Sequence, residues 1–85
     1  MEVQQIYKTC LEGKLEPAYA VRAINQELGG ITAVYYTSHK LTIENHTKRV
    51  SLDTRDHSRK KLKRAQSLAW LAYCQAQENG SIRPG

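Results

Sequence analysis

The sequence predicts an α+β fold in which an N-terminal helical hairpin, a three-stranded antiparallel sheet and a long C-terminal helix follow one another (α-α-β-β-β-α). Apolar residues recur at three- and four-residue steps in residues 3–28 and again in 62–76. Between these segments, residues 31–53 are rich in β-branched and aromatic residues or alternate with polar ones. The chain of 85 residues forms one small domain, which we place at residues 1–78, with a flexible tail at 79–85.

The helical hairpin is predicted from two amphipathic stripes with stop signals after each. The first stripe consists of Val3, Ile6, Tyr7, Cys10 and Leu11. Gly13 is expected to end this helix. Pro17 opens the second helix, because the missing N–H of a proline costs nothing in the first turn. Gly29 and Gly30 end it.

Three strands are predicted at "ITAVYYT" (31–37), "KLTIE" (40–44) and "RVSLD" (49–53). Alternation places one set of apolar side chains on a common face: Leu41, Ile43, Val50 and Leu52. Tyr35 and Tyr36 point to opposite faces, so at most one of them belongs to the core. The other is available to stack on a nucleic-acid base.

The last helix is apolar on almost all sides after its basic start. Four residues are candidate N-caps: Asp53, Thr54, Asp56 and Ser58. Because its apolar belt is so wide, we expect neighbours on more than one side. We predict that Trp70, Leu71 and Tyr73 lie in the core or in the interface of a homodimer.

The composition excludes several classes of protein. No apolar run approaches the roughly 20 residues of a membrane span, and the first ten residues do not resemble a signal peptide, so we expect a cytoplasmic protein without membrane contact. Cys10 and Cys74 are expected to be buried thiols. No residues have the spacing of metal ligands or of a phosphate-binding glycine loop, and we expect no cofactor.

The basic start of the last helix is the strongest functional signal in the sequence. The net charge is +5, and no glutamate occurs between Glu44 and Glu78. Cations at a helix N-terminus oppose the helix dipole and repel one another. A phosphate backbone would relieve both effects. We therefore predict a non-enzymatic, largely sequence-tolerant RNA-binding protein whose phosphate grip comprises Arg59, Lys60, Lys61, Lys63 and Arg64.

Three further residues are predicted to contribute to this site. Lys48 and Arg49, in or beside the turn between the last two strands, extend the cationic surface. His39, in the turn between the first two strands, probes a groove or a base.

The order helix, three strands, helix, with lysines opening the last helix, resembles the double-stranded-RNA-binding domain. The similarity covers residues 17–74, and the loop histidine of the family corresponds to His39 in "YTSHK". The resemblance implies that this histidine enters the minor groove of an RNA duplex while the lysine cluster grips phosphates.

A second resemblance is to HicA-type toxins, small ribonucleases whose Gly-Ser-His motif supplies the catalytic histidine. "LGGITAVYYTSHK" (28–40) has a similar spacing from the helix end to Ser38 and His39. This resemblance implies an alternative function as a ribonuclease that uses His39.

A third possibility is an interaction protein. Compact, basic chains with few motifs are typical of phage or mobile-element inhibitors and antitoxins. Such a protein would use the same basic patch to bind an acidic host protein or a toxin ribonucleoprotein.

Overall fold

A computed structural model describes residues 2–37 and 39–80 and confirms the predicted order of elements. The observed elements are α1 (Val3–Leu11), α2 (Pro17–Leu28), β1 (Ala33–Tyr36), β2 (Lys40–Glu44), β3 (Arg49–Asp53) and α3 (Arg59–Glu78). The first strand is shorter than predicted. Ile31 precedes it as a fully buried loop residue, and its N–H donates to Asn25 Oδ1 at 2.8 Å instead of joining the sheet.

Glycine ends the first two helices as predicted. Gly13 and Gly29 have φ angles of 81° and 78°, in the left-handed region that glycine adopts without steric cost. The N–H groups of Gly29 and Gly30 donate to carbonyls in the last turn of α2. These glycines therefore let the chain turn back after α1 and turn toward the sheet after α2.

The sheet is antiparallel throughout, with strand order β1-β2-β3. Its register aligns Ile43 with both Val34 and Val50, and Leu41 with both Tyr36 and Leu52. These apolar side chains share the face that packs on the helices, which confirms the predicted alternation. On the other face, Thr42 and Ser51 hydrogen bond at 3.0 Å.

The helices pack on one face of the sheet and on each other. Helix α3 contacts β1 and β2, α1 contacts β3, and α2 packs on both α1 and α3. The largest completely buried side chains come from all three helices and the sheet: Ile6, Tyr7, Ile24, Leu41, Ile43 and Leu68. Helix α3 therefore has neighbours on two sides, as its wide apolar belt predicts.

The observed position of Trp70 differs in part from the predicted one. Its predicted position in the core is wrong, because 64% of its surface is exposed. Small side chains form the buried face of α3: Ala65, Ala69, Ala72 and Ala76, together with Leu68. Trp70 projects away from this face, while Leu71 and Tyr73 are half-buried. The homodimer interface predicted as its alternative position stays a prediction.

The end of α3 is tied to the rest of the domain through asparagine side chains. Asn79 Nδ2 donates to the Ile31 carbonyl at 2.7 Å and to Asn25 Oδ1 at 3.2 Å. Asn25 thereby links the end of α2 to the end of α3. Of the tail predicted at 79–85, residues 81–85 lie outside the described residues.

The packing of α3 predicts a large effect of truncating its central leucine. Leu68→Ala should lower the free energy of unfolding by about 2–5 kcal/mol, because Leu68 is completely buried and its truncation leaves a cavity. Ser67→Ala, at the exposed neighbouring position, should change it by less than about 0.5 kcal/mol. Urea unfolding followed by circular dichroism measures both values, and equal losses would contradict this packing.

Candidate nucleic-acid interface

Helix α3 begins with a neutral cap and a run of cations. Of the four candidate caps, Ser58 is the observed one: its Oγ accepts a hydrogen bond from the Lys61 N–H at 3.3 Å. The first turn contains no acidic residue. A serine cap satisfies a free N–H group but brings no negative charge. The positive end of the helix dipole therefore coincides with the cationic side chains.

Arg55, just before this helix, is neutralised by a neighbouring carboxylate. Asp53 Oδ2 lies 2.6 Å from Arg55 Nη2, and Asp53 Oδ1 also accepts the Arg55 backbone N–H at 3.0 Å. The side-chain and backbone hydrogen bonds from Arg55 lower the pKa of Asp53 to about 2. Arg55 thus contributes little free positive charge to the surface.

Arg64 has a structural contact that the sequence did not reveal. Its Nη1 donates to the carbonyl of Leu11, the last residue of α1, at 3.0 Å. Its guanidinium also lies against Gly13, where an added Cβ would stand only 2.9 Å from Arg64 Nη2. Arg64 therefore fastens the start of α3 to the end of α1. Its role in holding phosphate stays a prediction.

The other four predicted cations remain exposed. We call them the α3 cation cluster: Arg59, Lys60, Lys61 and Lys63. Within residues 2–37 and 39–80, none of them forms a salt bridge. Their charge is therefore available to an external anion.

The α3 cation cluster spreads around the start of the helix. Lys60 and Lys63 border a shallow depression beside the loop between α1 and α2, together with Leu15 and Glu16. Glu16 is not within salt-bridge distance of either lysine. Lys61 points to the other side of α3, where it lies near His57. An extended anion can thus reach the cluster from more than one direction.

His39 lies at the same end of the sheet as the cluster. Its carbonyl accepts the N–H of Thr54 at 2.8 Å, which joins the β1–β2 turn to the loop that precedes α3. The imidazole is exposed. The structure therefore brings His39 close to the approach to α3, as the predicted site requires. Ser38, the other member of the Ser-His pair, lies outside the described residues.

Lys48 and Arg49 lie at the opposite end of the sheet. The length of β2, roughly 14 Å, separates their turn from the end where α3 begins. Arg49 Nε donates to Glu44 Oε2 at 2.8 Å, and this bond lowers the pKa of Glu44. Lys48 Nζ lies 3.5 Å from the Glu27 carbonyl. The structure does not join these two residues to the α3 cation cluster.

The histidines and cysteines are dispersed. His46 lies in the turn at the far end of β2 from His39, and His57 is half-buried. Cys10 and Cys74 are free thiols, and burial raises the pKa of Cys10. In the part of the chain that the structure describes, no group of three His, Cys, Asp or Glu residues is arranged to hold a metal ion.

Sequence reasoning missed an aromatic feature next to the cluster. A groove between β1 and α3, here called the aromatic groove, is lined by Val34, Tyr36, Gln66, Ala69, Trp70 and Tyr73. The Trp70 and Tyr73 rings stack with centroids 6.0 Å apart and an interplanar angle of 26°. The sequence does contain a signal for this feature. The spacing of Arg59, Lys63 and Trp70 places all three on one face of a helix.

Comparisons with family models, curated proteins and solved structures find no significant match to this chain. Among the described helices, none combines the length and apolar character that crossing a membrane requires.

The contact of Arg64 predicts that it stabilises the fold more than its neighbours do. Arg64→Ala should lower the free energy of unfolding by about 1–2 kcal/mol, because the Leu11 carbonyl loses a charged donor. Lys60→Ala should leave it unchanged or raise it by a few tenths of a kcal/mol, because repulsion within the cluster falls. Chemical denaturation of both variants tests this difference, and an equal loss for Lys60→Ala would refute it.

The ion pair of Asp53 predicts an acidic titration that depends on Arg55. In the native protein, the Asp53 carboxyl should titrate near pH 2, and in Arg55→Gln its midpoint should rise toward the usual value of about 4. Since the native pKa is lowered, the pair stabilises the fold above pH 4 and loses this effect as the pH falls through 2. Carboxyl chemical shifts measured by NMR during an acid titration check the midpoint, and an unchanged midpoint in Arg55→Gln would assign the shift to another cause.

Proposed function

We propose that this protein binds RNA without cleaving it, with little sequence preference, and that the α3 cation cluster holds the phosphates. The observation that carries the proposal is the set of four exposed cations at the start of one helix, none of them in a salt bridge among the described residues. Displaced counterions would supply most of the binding free energy.

The energetics of α3 support an anionic partner. Arg59 and Lys63 are four residues apart, and Lys60 and Lys63 are three apart, so they repel on the helix surface. The first turn of α3 contains no acidic residue, so the helix itself supplies no charge that offsets this repulsion. An adjacent polyphosphate chain would convert the repulsion into attraction.

The rigidity of the helix start supports the same assignment. Ser58 caps it, Arg64 fastens it to α1, and the completely buried Ala65 and Leu68 follow directly. A cluster on a fixed element loses less conformational entropy on binding than one on a mobile loop. His39, at the same end of the sheet, is positioned to contact a base or a groove.

Binding without cleavage accords with the placement of the histidines. General acid–base cleavage of RNA benefits from two proton-transfer groups on either side of the scissile phosphate. His39 and His46 lie at opposite ends of β2, and the half-buried His57 borders a separate depression with Lys61. We therefore assign His39 to contact rather than to chemistry.

Charge reversal in the cluster tests the proposal. Lys60→Glu/Lys63→Glu should lose most RNA affinity at low salt, because two attractive charges become repulsive. For the native protein, the logarithm of affinity should fall with the logarithm of salt concentration with a slope of about −3, as expected for four phosphate contacts to a single strand. Fluorescence anisotropy with labelled RNA at several salt concentrations measures both quantities.

The matched control is Lys48→Glu against Lys60→Glu. Each changes the net charge equally, but Lys48 lies at the far end of the sheet. Lys60→Glu should weaken binding clearly more than Lys48→Glu does. Equal effects would show that net charge alone is responsible. Retention of an acidic protein after nuclease treatment, without affinity for purified RNA, would replace the proposal with a protein partner.

A further inference from the structure

We propose that the aromatic groove binds the bases of single-stranded RNA by stacking on Trp70 and Tyr73, while the adjacent α3 cation cluster holds the strand's phosphates. This inference rests on the proposed function and names the class of RNA. Trp70 is 64% exposed, although tryptophan side chains are on average largely buried.

The rings are already arranged as a stacking platform. Trp70 and Tyr73 stack on one another, and Gln77 Nε2 donates to the Tyr73 hydroxyl at 3.3 Å, which restrains the position of that hydroxyl. Ala69 and Val34 form the apolar floor between α3 and β1. A nucleobase on the free face of Trp70 would extend an existing stack. Base–aromatic stacking of this kind accepts any base, in agreement with sequence-tolerant binding.

The stacking platform lies on the same face of α3 as part of the α3 cation cluster. Arg59, Lys63, Gln66 and Trp70 follow one another at steps of four, three and four residues, so they occupy one face of α3. Lys63 and Trp70 are two helical turns apart, roughly 10 Å along the axis. This distance lets one strand place a phosphate on Lys63 and a nearby base on Trp70.

Charge complementarity favours a polyanion over a second copy of the chain. From Arg59 to Gln77, α3 contains five lysines and arginines and no carboxylate, and β1 contains no charged residue. A symmetric dimer across this face would bring the cations of both copies into one interface without anions of that face to pair with them. A nucleic-acid strand supplies the missing negative charge along its whole length.

Exposed rings select single strands over duplexes. In an RNA duplex the base faces are covered by neighbouring bases, and a protein reaches mainly phosphates and 2′-hydroxyls. An aromatic platform gains its stacking energy only from a base that is free to leave such a stack. The groove therefore distinguishes the two forms of RNA, whereas the cation cluster by itself does not.

Trp70 is the only tryptophan of the chain, so its fluorescence reports on this site alone. A short oligouridylate should quench it, whereas inorganic polyphosphate, a polyanion without bases, should bind the native protein with little quenching. Trp70→Ala should lose about 5- to 100-fold in affinity for oligouridylate, as expected for the loss of one stacked base. It should bind polyphosphate and duplex RNA as the native protein does. Trp70→Phe should recover most of the loss.

The outcomes separate this inference from the proposed function. If Lys60→Glu/Lys63→Glu loses RNA binding while Trp70→Ala keeps full affinity for oligouridylate, the phosphate grip stands and base stacking is overturned. If the native protein binds neither oligouridylate nor duplex RNA, the proposed function fails. If Trp70→Ala changes a dimer into a monomer in sedimentation and leaves oligouridylate affinity unchanged, the groove is a self-association surface and the inference is overturned.

Discussion

The close packing of the alanine face of α3 is the contact on which the rest of the structure depends. Ala65, Ala72 and Ala76 are completely buried, and their small side chains let α3 approach both the sheet and α2. Leu68 is also completely buried. Because α3 contacts β1, β2, α1 and α2, its position fixes the position of almost every other element. Larger side chains on this face would separate the layers.

This packing explains how α3 tolerates an unfavourable first turn. Burial of the alanine face stabilises the whole helix, so repulsion among Arg59, Lys60 and Lys63 lowers stability without unwinding the start. Ser58 caps this turn, and Arg64, in the next turn, hydrogen bonds to the end of α1. Helix stability and surface charge are thus supplied by different residues, which leaves the cations available to a ligand.

Local sequence patterns predict the helices and strands, whereas long-range contacts determine which residues lie together in the candidate site. The alternation of Leu41 and Ile43 defined the buried face of the sheet, since that periodicity is a property of neighbouring residues. The contact of Arg64 with Leu11 spans 53 residues, and no local pattern encodes it. The apolar belt places Trp70 in the core or in a homodimer interface, because it marks the residue only as apolar. Its exposure depends on which face the alanines occupy. Lys48 is far from the α3 cation cluster because β2 runs from the end of the sheet near α3 to the opposite end, where Lys48 lies.

The placement of Lys60 and Lys63 beside Pro17, the first residue of α2, has an effect before any contact is made. The N-termini of α2 and α3 and these cationic side chains lie close together on the surface. At physiological ionic strength charges are screened over about 8 Å, so Lys48 and Arg49, at the far end of the sheet, add little to the field there. If the protein binds a polyanion as proposed, this local field would orient the two molecules during diffusion and raise the association rate.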